Sequence, residues 1–553
     1  MNREPFDYVI VGAGSAGCVL ANRLSEDPSA RVLLLEAGPP DHRWDFRIHM
    51  PGALARPLMG EAYNWAYHSE PEPGLDGRRL YCPRGRVIGG SSSINGMVYI
   101  RGHARDYDGW AAQGLPGWSY ADVLPYFRRC EDRGRGEDAW RGAGGPLHVS
   151  TGASPNPLFD AFIEAGREAG YPVTEDMNGY QQEGLGRMDM TTWRGRRWSA
   201  ARGWLDPARP RPNLEVAAHA LVTRVRFEGR RAAGVDYLER GRARRADAAR
   251  EVVLAGGAIN SPQLLLLSGV GPADELRRLG VDVVADLPGV GENLQDHLEI
   301  YVQHACTRPI TLYSALKPLG MLKAGLSWYL FRGGLGASNQ FEAGGFIRSR
   351  AGVEHPDLQY HFIPIAMRYD GSGLRGQHGF QAHVGPMRPE SRGRVRLKSA
   401  APRAAPSIFF NYLSAERDRR ELRDSVRLTR EIFAQAAFDP WRGPELAPGA
   451  KVRSDDAVDA FVRESVESAF HPCGTCRMGT DEGAVTDGET RVRGVEGLRV
   501  VDASIMPAIV SGNLNAPTLM LAEKAADLIL GRPPPPPSNA AVWIAPDWRT
   551  AQR

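Results

Sequence analysis

The sequence predicts an α/β protein of at least two packed units. Three observations carry that reading: a chain of 553 residues, a strand–helix–strand pattern at the N-terminus, and a glycine-rich turn joining its first two members. The length is several times the roughly 100–200 residues of one ordinary domain.

The elements follow in order. Phe6 to Val11 is an apolar, β-branched run that reads as a buried strand, Ala16 to Leu24 has helical spacing, and Arg31 to Glu36 is a second strand, so residues 6–36 form a βαβ unit. Short strands are expected at Glu251 to Ala255 and Leu498 to Val501, and helices at Ala457 to Ser465 and Leu519 to Leu530. Between Glu299 and Asn411, short β-like runs alternate with turns and no period stands out. Pro533 to Pro537 cannot continue a helix and reads as the end of the fold, followed by a tail that includes Trp543 and Trp548. No fixed-period repeat points to a solenoid or propeller.

Composition narrows the class. Hydrophobic residues make up 42% and charged residues 24%, the balance of a globular chain. Lys plus Arg is 68 against 65 for Asp plus Glu, a net charge of +3 that implies no nucleic-acid partner. Only five residues are lysine, which lowers the prospect of Schiff-base chemistry. Met1 to Pro5 lacks the basic start of a secretory leader, and no apolar run approaches the ~20 residues of a membrane span. Six scattered cysteines fit a reducing compartment, so a cytoplasmic location is expected, and any membrane association, at the inner face of the cell membrane, would be peripheral. Oligomeric state leaves no mark in the sequence.

Gly12-Ala13-Gly14-Ser15-Ala16-Gly17 follows the first strand and opens the helix, and Glu36 closes the second strand. This is the dinucleotide fingerprint in its full context: Gly12 for the tight turn, Gly14 for backbone approach to a pyrophosphate, Gly17 for close helix packing, the helix N-terminus for the negative charge, and Glu36 for a ribose hydroxyl. A carboxylate would repel a 2′-phosphate. NAD and FAD remain, and the N-terminal position with Ala37-Gly38 following favours FAD.

With Arg84 to Gly96 (RGRVIGGSSSING), Gly256 to Leu264, Pro288 to His297, His471 to Gly479 (HPCGTCRMG) and Val501 to Ser504, the chain resembles the glucose–methanol–choline (GMC) oxidoreductases over about residues 6–531. Tyr63-Asn64-Trp65, Gln295 to Glu299 and Gly512 to Asn515 resemble the choline-oxidising members. The resemblance implies a discontinuous FAD-binding Rossmann-type domain (1–155, 200–300 and 465–531) interleaved with an α+β substrate domain built on an antiparallel sheet (156–199 and 301–464), with 532–553 as a tail. It adds Trp65, Arg84, Gly89, Gly90, Ser91, Asn95, Gly96, Met97, Val98, Val222, Asp502 and Ala503 to Gly12, Gly14, Ser15, Ala16, Gly17, Glu36 and Ala37 as cofactor-binding residues. Some members carry a flavin-linked histidine just before the Asn of the Gly-Gly motif; Ile94 stands there, so FAD is expected to be held noncovalently.

The implied chemistry is oxidation of choline to betaine aldehyde, with a further step to betaine through the aldehyde hydrate open, and electrons passed to a respiratory quinone or O2. Alcohol oxidation needs a base at oxygen and a hydride acceptor at carbon. By the resemblance His471 is the base and Asn515 its oxygen-orienting partner, while Glu299, His361 and Phe470 bind substrate, with Glu299 as counter-charge to the trimethylammonium group and Phe470 and Trp328 as aromatic walls. Two alternatives stay open: a member of the family acting on uncharged aliphatic or aryl alcohols, and a flavin disulfide reductase-like protein exchanging electrons through Cys473 and Cys476. No metal site is expected, because those cysteines have no partner pair at zinc-ligand spacing.

Overall fold

A computed structural model describes residues 4–368 and 376–553. Two seven-stranded sheets organise it.

The first sheet grows from the βαβ unit. Phe6–Val11 lies parallel between Val32–Glu36 and the C-terminal half of Arg242–Leu254, with Val9 opposite both Leu33 and Val252. Leu214–Ala218 extends one edge and Leu498–Val500 pairs with Val252 to Leu254 on the other side. These strands read as unbroken apolar runs because helices cover both faces; Val9, Ile10, Leu34, Val253 and Val500 are fully buried. The expected strand at 251–255 is the end of a thirteen-residue strand whose exposed first half, Arg242 onward, pairs antiparallel with Arg231–Glu239. That half is rich in Arg and Ala, which hid it from an apolar pattern.

The second sheet is antiparallel, in the order Arg442–Ala447, Leu298–Cys306, Gly379–Pro386, Leu358–Ile363, Ala343–Ile347, Gly184–Arg187, with Glu467–Ser468 paired to Leu298 and Glu299. Tyr301 stands opposite His383, and His383 opposite His361, so these three side chains share one face with Glu299, Gln303, Gln381 and Gln359. The other face carries Ile300, Val302, Phe380, Ala382, Val384, Tyr360 and Phe362 and packs against the helix Glu416–Phe433. The period-two pattern missing from the reading of residues 299–411 is thus present. Its polar half is buried instead of facing solvent, and Glu299 and His361 reach a cavity.

The strand Leu298–Cys306 runs through the boundary expected at residue 300, putting Glu299 on the second sheet. Residues 532–553 are not a loose tail: Ser538 donates to the Ala121 carbonyl, Trp543 to that of Tyr180, and Arg348 to that of Ala551, which straps the terminus across both halves.

Candidate active site

A cavity of about 480 Å³ runs from the glycine fingerprint to the second sheet. At one end the fingerprint turn is compressed by its own neighbours. Gly12 has φ +100°, and a Cβ there would lie 2.6 Å from the Ala255 carbonyl oxygen; a Cβ on Gly17 would lie 1.8 Å from the Gly12 oxygen. Gly90, φ +53°, backs onto Gly14, where a Cβ would come within 2.5 Å of the Gly14 Cα. Only glycine allows these approaches, and the result is an open backbone groove at the N-terminus of the helix Ser15–Leu24.

Glu36 accepts from the backbone N–H groups of Ala13 and Gly38 at 2.9 and 2.8 Å, and burial pushes its carboxyl up to about 7. Asp502 accepts from the N–H of Gly257 (2.8 Å), Ser261 Oγ (2.6 Å) and the N–H of Ser504 (2.8 Å), capping the start of the helix Gly257–Leu267. Gly12, Gly14, Ser15, Ala16, Glu36, Ala37, Trp65, Arg84, Gly90, Ser91, Asn95, Gly96, Met97, Val98, Val222, Asp502 and Ala503 all line the cavity. Gly17 and Gly89 sit one layer behind, Gly89 donating to the Ala13 carbonyl at 2.7 Å. Ile94 also lines it, buried with Ile48 and Val87.

At the other end the wall carries His471, Asn513, His361, Glu299, Phe341 and Phe470. His471 is positioned by a fixed backbone. Its N–H donates to Asp296 Oδ1 (2.6 Å), Phe470 N–H donates to Ser468 Oγ (2.8 Å), and Arg84 donates to the Phe470 carbonyl (2.5 Å). Phe470 is thereby held at φ +65°, a conformation an aromatic residue adopts only when its surroundings impose it.

The hydrogen bonds also define the His471 tautomer. His297 Nε2 lies 3.0 Å from the Met387 carbonyl, which can only accept, so His297 carries its proton there and its Nδ1 is a bare acceptor. His471 Nδ1 lies 3.0 Å from that acceptor and so is protonated, which leaves the lone pair on Nε2. Asn513 Nδ2 donates to it at 3.0 Å, while Asn513 Oδ1 accepts from Gln359 at 3.1 Å. Burial, with smaller contributions from His297, His361 and Arg84, holds the His471 pKa well below 6.5, so the imidazole is neutral at pH 7.

The expected pairing of Asn515 with His471 is corrected here. Asn515 Oδ1 accepts from Ser15 Oγ at 2.8 Å, on the fingerprint side, and Asn513 is the amide that meets the histidine. Asn515 is the first residue of the helix Asn515–Leu530, whereas Asn513 lies in the segment before its N-cap Leu514. Trp328 is also corrected: it is buried outside the cavity, its Nε1–H on the Gly195 carbonyl at 2.6 Å.

Glu299 Oε1 accepts from Tyr301 OH and His383 Nδ1, both at 3.1 Å. Gln381 fixes this arrangement. Its Oε1 accepts from Gln303 and the Met367 N–H, so its Nε2 is the donor to His383 Nε2 at 2.6 Å, and the His383 proton sits on Nδ1 toward Glu299. His361 Nε2, buried in the wall, has no partner among the described residues. Sequence reading missed His297, Tyr301, His383 and Asn513; alternation along Leu298–Cys306 and Gly379–Pro386 was the available signal for two of them. It also missed Arg197, 1% exposed, which binds the carbonyls of Ile48, Ser92 and Asn95 and the Asn95 side chain; burial pulls its pKa down to about 9. Arg197 thereby props the loop that holds Ser91 to Gly96.

Cys473 and Cys476 are fully buried free thiols outside the cavity wall, and burial drives both pKa values far above the ordinary thiol range. Electron exchange needs an accessible thiolate, so the disulfide-reductase alternative loses its chemistry. Replacing both by serine is expected to cost about 1–3 kcal/mol of stability per buried hydroxyl while alcohol oxidation persists. Abolished activity in a folded, cofactor-loaded double variant would restore the dithiol reading.

The family model described as GMC oxidoreductase matches residues 6–299 and 389–522 in its N- and C-terminal parts. An oxygen-dependent choline dehydrogenase from Serratia proteamaculans is 59% identical over 546 residues, covering 98% of both chains. One from Brucella anthropi is 56% identical over 550 residues, 99% of this chain and 100% of the relative. Among solved structures, pyridoxine 4-oxidase from Mesorbium loti has a TM-score of 0.85 at 33% identity, covering 96% of this chain and 100% of that one. An FAD-dependent oxidoreductase from Chaetomium thermophilum has a TM-score of 0.86 at 30% identity, covering 95% and 99%.

Proposed function

The chain belongs to the GMC oxidoreductase family, and from that premise we propose that it is an FAD-dependent dehydrogenase oxidising choline to betaine aldehyde. The observation that carries the substrate is Glu299, a buried carboxylate in the same cavity wall as His471, a wall that also carries the Phe341 and Phe470 rings. A quaternary ammonium offers no N–H donor, so a cavity can select it only by charge and by aromatic faces.

The residues fit FAD. The glycine groove and helix N-terminus suit a pyrophosphate, Glu36 a ribose, and the loop Gly89 to Gly96, braced by Arg197, the flavin. When bound, FAD supplies the acceptor for the hydride that leaves the carbinol carbon. His471 Nε2 takes the hydroxyl proton. The imidazolium so formed keeps its Nδ1–H on His297, whose own proton is anchored on the Met387 carbonyl. Asn513, an amide with two N–H donors, moves one from the His471 lone pair to the substrate oxygen and steadies the alkoxide charge. Asn515 and Ser15 keep the fingerprint helix and the catalytic segment in register. Glu299 holds the headgroup, its charge set by the His383 and Tyr301 donors.

Because Ile94 occupies the linkage position, the cofactor is held noncovalently. Anaerobic choline is expected to bleach the flavin spectrum, and acid precipitation to leave the flavin in the supernatant. Flavin pelleting with the protein would overturn the noncovalent reading. Reduction by an aliphatic or aryl alcohol but not by choline would move the enzyme to the uncharged-alcohol branch. Admission of air after reduction separates the two acceptors: fast reoxidation marks O2, and slow reoxidation with rapid transfer to a quinone analogue marks a respiratory acceptor.

A further inference from the structure

We propose that the helix Pro318–Phe331, with the turns that flank it, is an in-plane docking surface for an anionic phospholipid bilayer. This goes beyond the catalytic reading and does not depend on the substrate. Nine of the fourteen large hydrophobic side chains that are exposed among the described residues fall between Leu316 and Leu335, each between 42% and 78% exposed. Leu319, Leu322, Leu326, Tyr329, Leu330 and Phe331 lead them. A helix apolar on every side is ordinarily buried. Here Trp328 is its single buried residue.

That one side chain fixes the helix to the body. Trp328 Nε1–H donates to the Gly195 carbonyl at 2.6 Å, and the Arg332 guanidinium lies over its ring at 4.2 Å, leaving the leucines outward. The fourteen residues are too few to cross a bilayer, and no helix among the described residues is long and apolar enough to do so. An apolar helix of this length with an exposed Tyr329 lies in the membrane plane.

Charge selects the occupant. Residues 300–341 contain no Asp or Glu but include Arg308, Lys317, Lys323 and Arg332, and two of the five lysines of the whole chain sit here. Apolar residues among basic ones, without an acid, match anionic headgroups over an acyl layer. A second copy of the chain would match the apolar area but would bring like charges together across a two-fold axis.

The position has a consequence for electron transfer. The turn Gly334–Ala337 rests on Pro51–Ala53, where a Cβ on Gly52 would lie 2.8 Å from the Leu335 carbonyl oxygen. Leu54 and Leu58, just beyond, line the cavity. Docking would therefore bring the cavity wall to the bilayer, the phase in which a lipid-soluble quinone dissolves.

Flotation of the holoenzyme with vesicles of phosphatidylglycerol and phosphatidylcholine, and with phosphatidylcholine alone, tests the proposal. Wild type is expected to float with the anionic vesicles, less so at high salt, and the triple variant Leu322→Glu, Leu326→Glu, Leu330→Glu to lose binding about tenfold or more. Activity with a soluble dye acceptor reports that the variant is folded, since these side chains lie outside the catalytic cavity. Lys317→Gln with Lys323→Gln should remove the salt-sensitive part of the binding. Absence of wild-type flotation, or equal flotation of the triple variant, overturns the proposal. So does a wild-type dimer that the triple variant splits while vesicles capture neither.

Discussion

Replacing His471 by alanine is expected to slow flavin reduction by saturating choline about 10²–10⁴-fold, the range general-base catalysis contributes, with the flavin still bound. The effect is large because neither side chain that touches His471 can replace it. His297 has its lone pair on Nδ1, already committed to His471, and its proton on the Met387 carbonyl. Asn513 is an amide and can donate but not accept a proton at nitrogen. The same chain explains a smaller expected loss for His297→Ala: the base remains, but only the Asn513 donor to Nε2 then favours the proton on His471 Nδ1, and part of the population would present an N–H instead of a lone pair to the alcohol. Anaerobic stopped-flow reduction measures both variants. A loss below about tenfold for His471→Ala would remove it from the role of base. In that variant a normal flavin spectrum separates lost chemistry from lost fold, since the cofactor groove is built from Gly12, Gly90 and Glu36, on other segments.

The flavin half of the molecule was legible because its requirements are local. A glycine at φ +100°, a helix N-terminus and a carboxylate two residues before Gly38 are all specified within residues 6–38, so the residue types appear at fixed spacing. The catalytic wall is assembled differently. Asn513 and Asn515 flank one leucine, and nothing in the order of residues says which amide meets His471; that depends on where the helix Asn515–Leu530 begins and on Gln359, 154 residues away, which fixes the Asn513 amide. The stripe Glu299, Tyr301, Gln303 does alternate, but it is too short to stand out among the turns around it, and alternation with polar residues ordinarily means a solvent face. Here each of the three is buried and matched by Gln381 and His383 on the next strand, a complementarity between distant segments that no local pattern records. The exposed helix at Pro318–Phe331 misleads in the opposite sense, since its apolar composition reads as core.

Glu299→Gln is expected to lower kcat/KM for choline by roughly 30-fold to several thousand-fold, the equivalent of about 2–5 kcal/mol for removing one partner of a buried charge pair. The substitution is nearly isosteric, so the wall survives it: the glutamine carbonyl can still accept from Tyr301 OH and His383 Nδ1–H, the two donors that hold Glu299 at 3.1 Å. Only the negative charge is removed. The trimethylammonium group cannot compensate by donating a hydrogen bond, and the Phe341 and Phe470 faces alone supply about 0.5–2 kcal/mol each. The uncharged isostere of choline, with carbon in place of the quaternary nitrogen, fills the same volume and never engages the carboxylate, so its kcat/KM should be unchanged or rise as an unpaired buried charge is relieved. Steady-state kinetics with both alcohols decide the matter. If the two substrates lose the same factor, Glu299 acts on the shape or polarity of the cavity and not on the headgroup, and selection of a cation must then reside elsewhere in the wall. A loss confined to choline and carried in KM identifies uniform binding of the headgroup; a loss carried in kcat would mean that the carboxylate also aligns the carbinol against His471 and the flavin face.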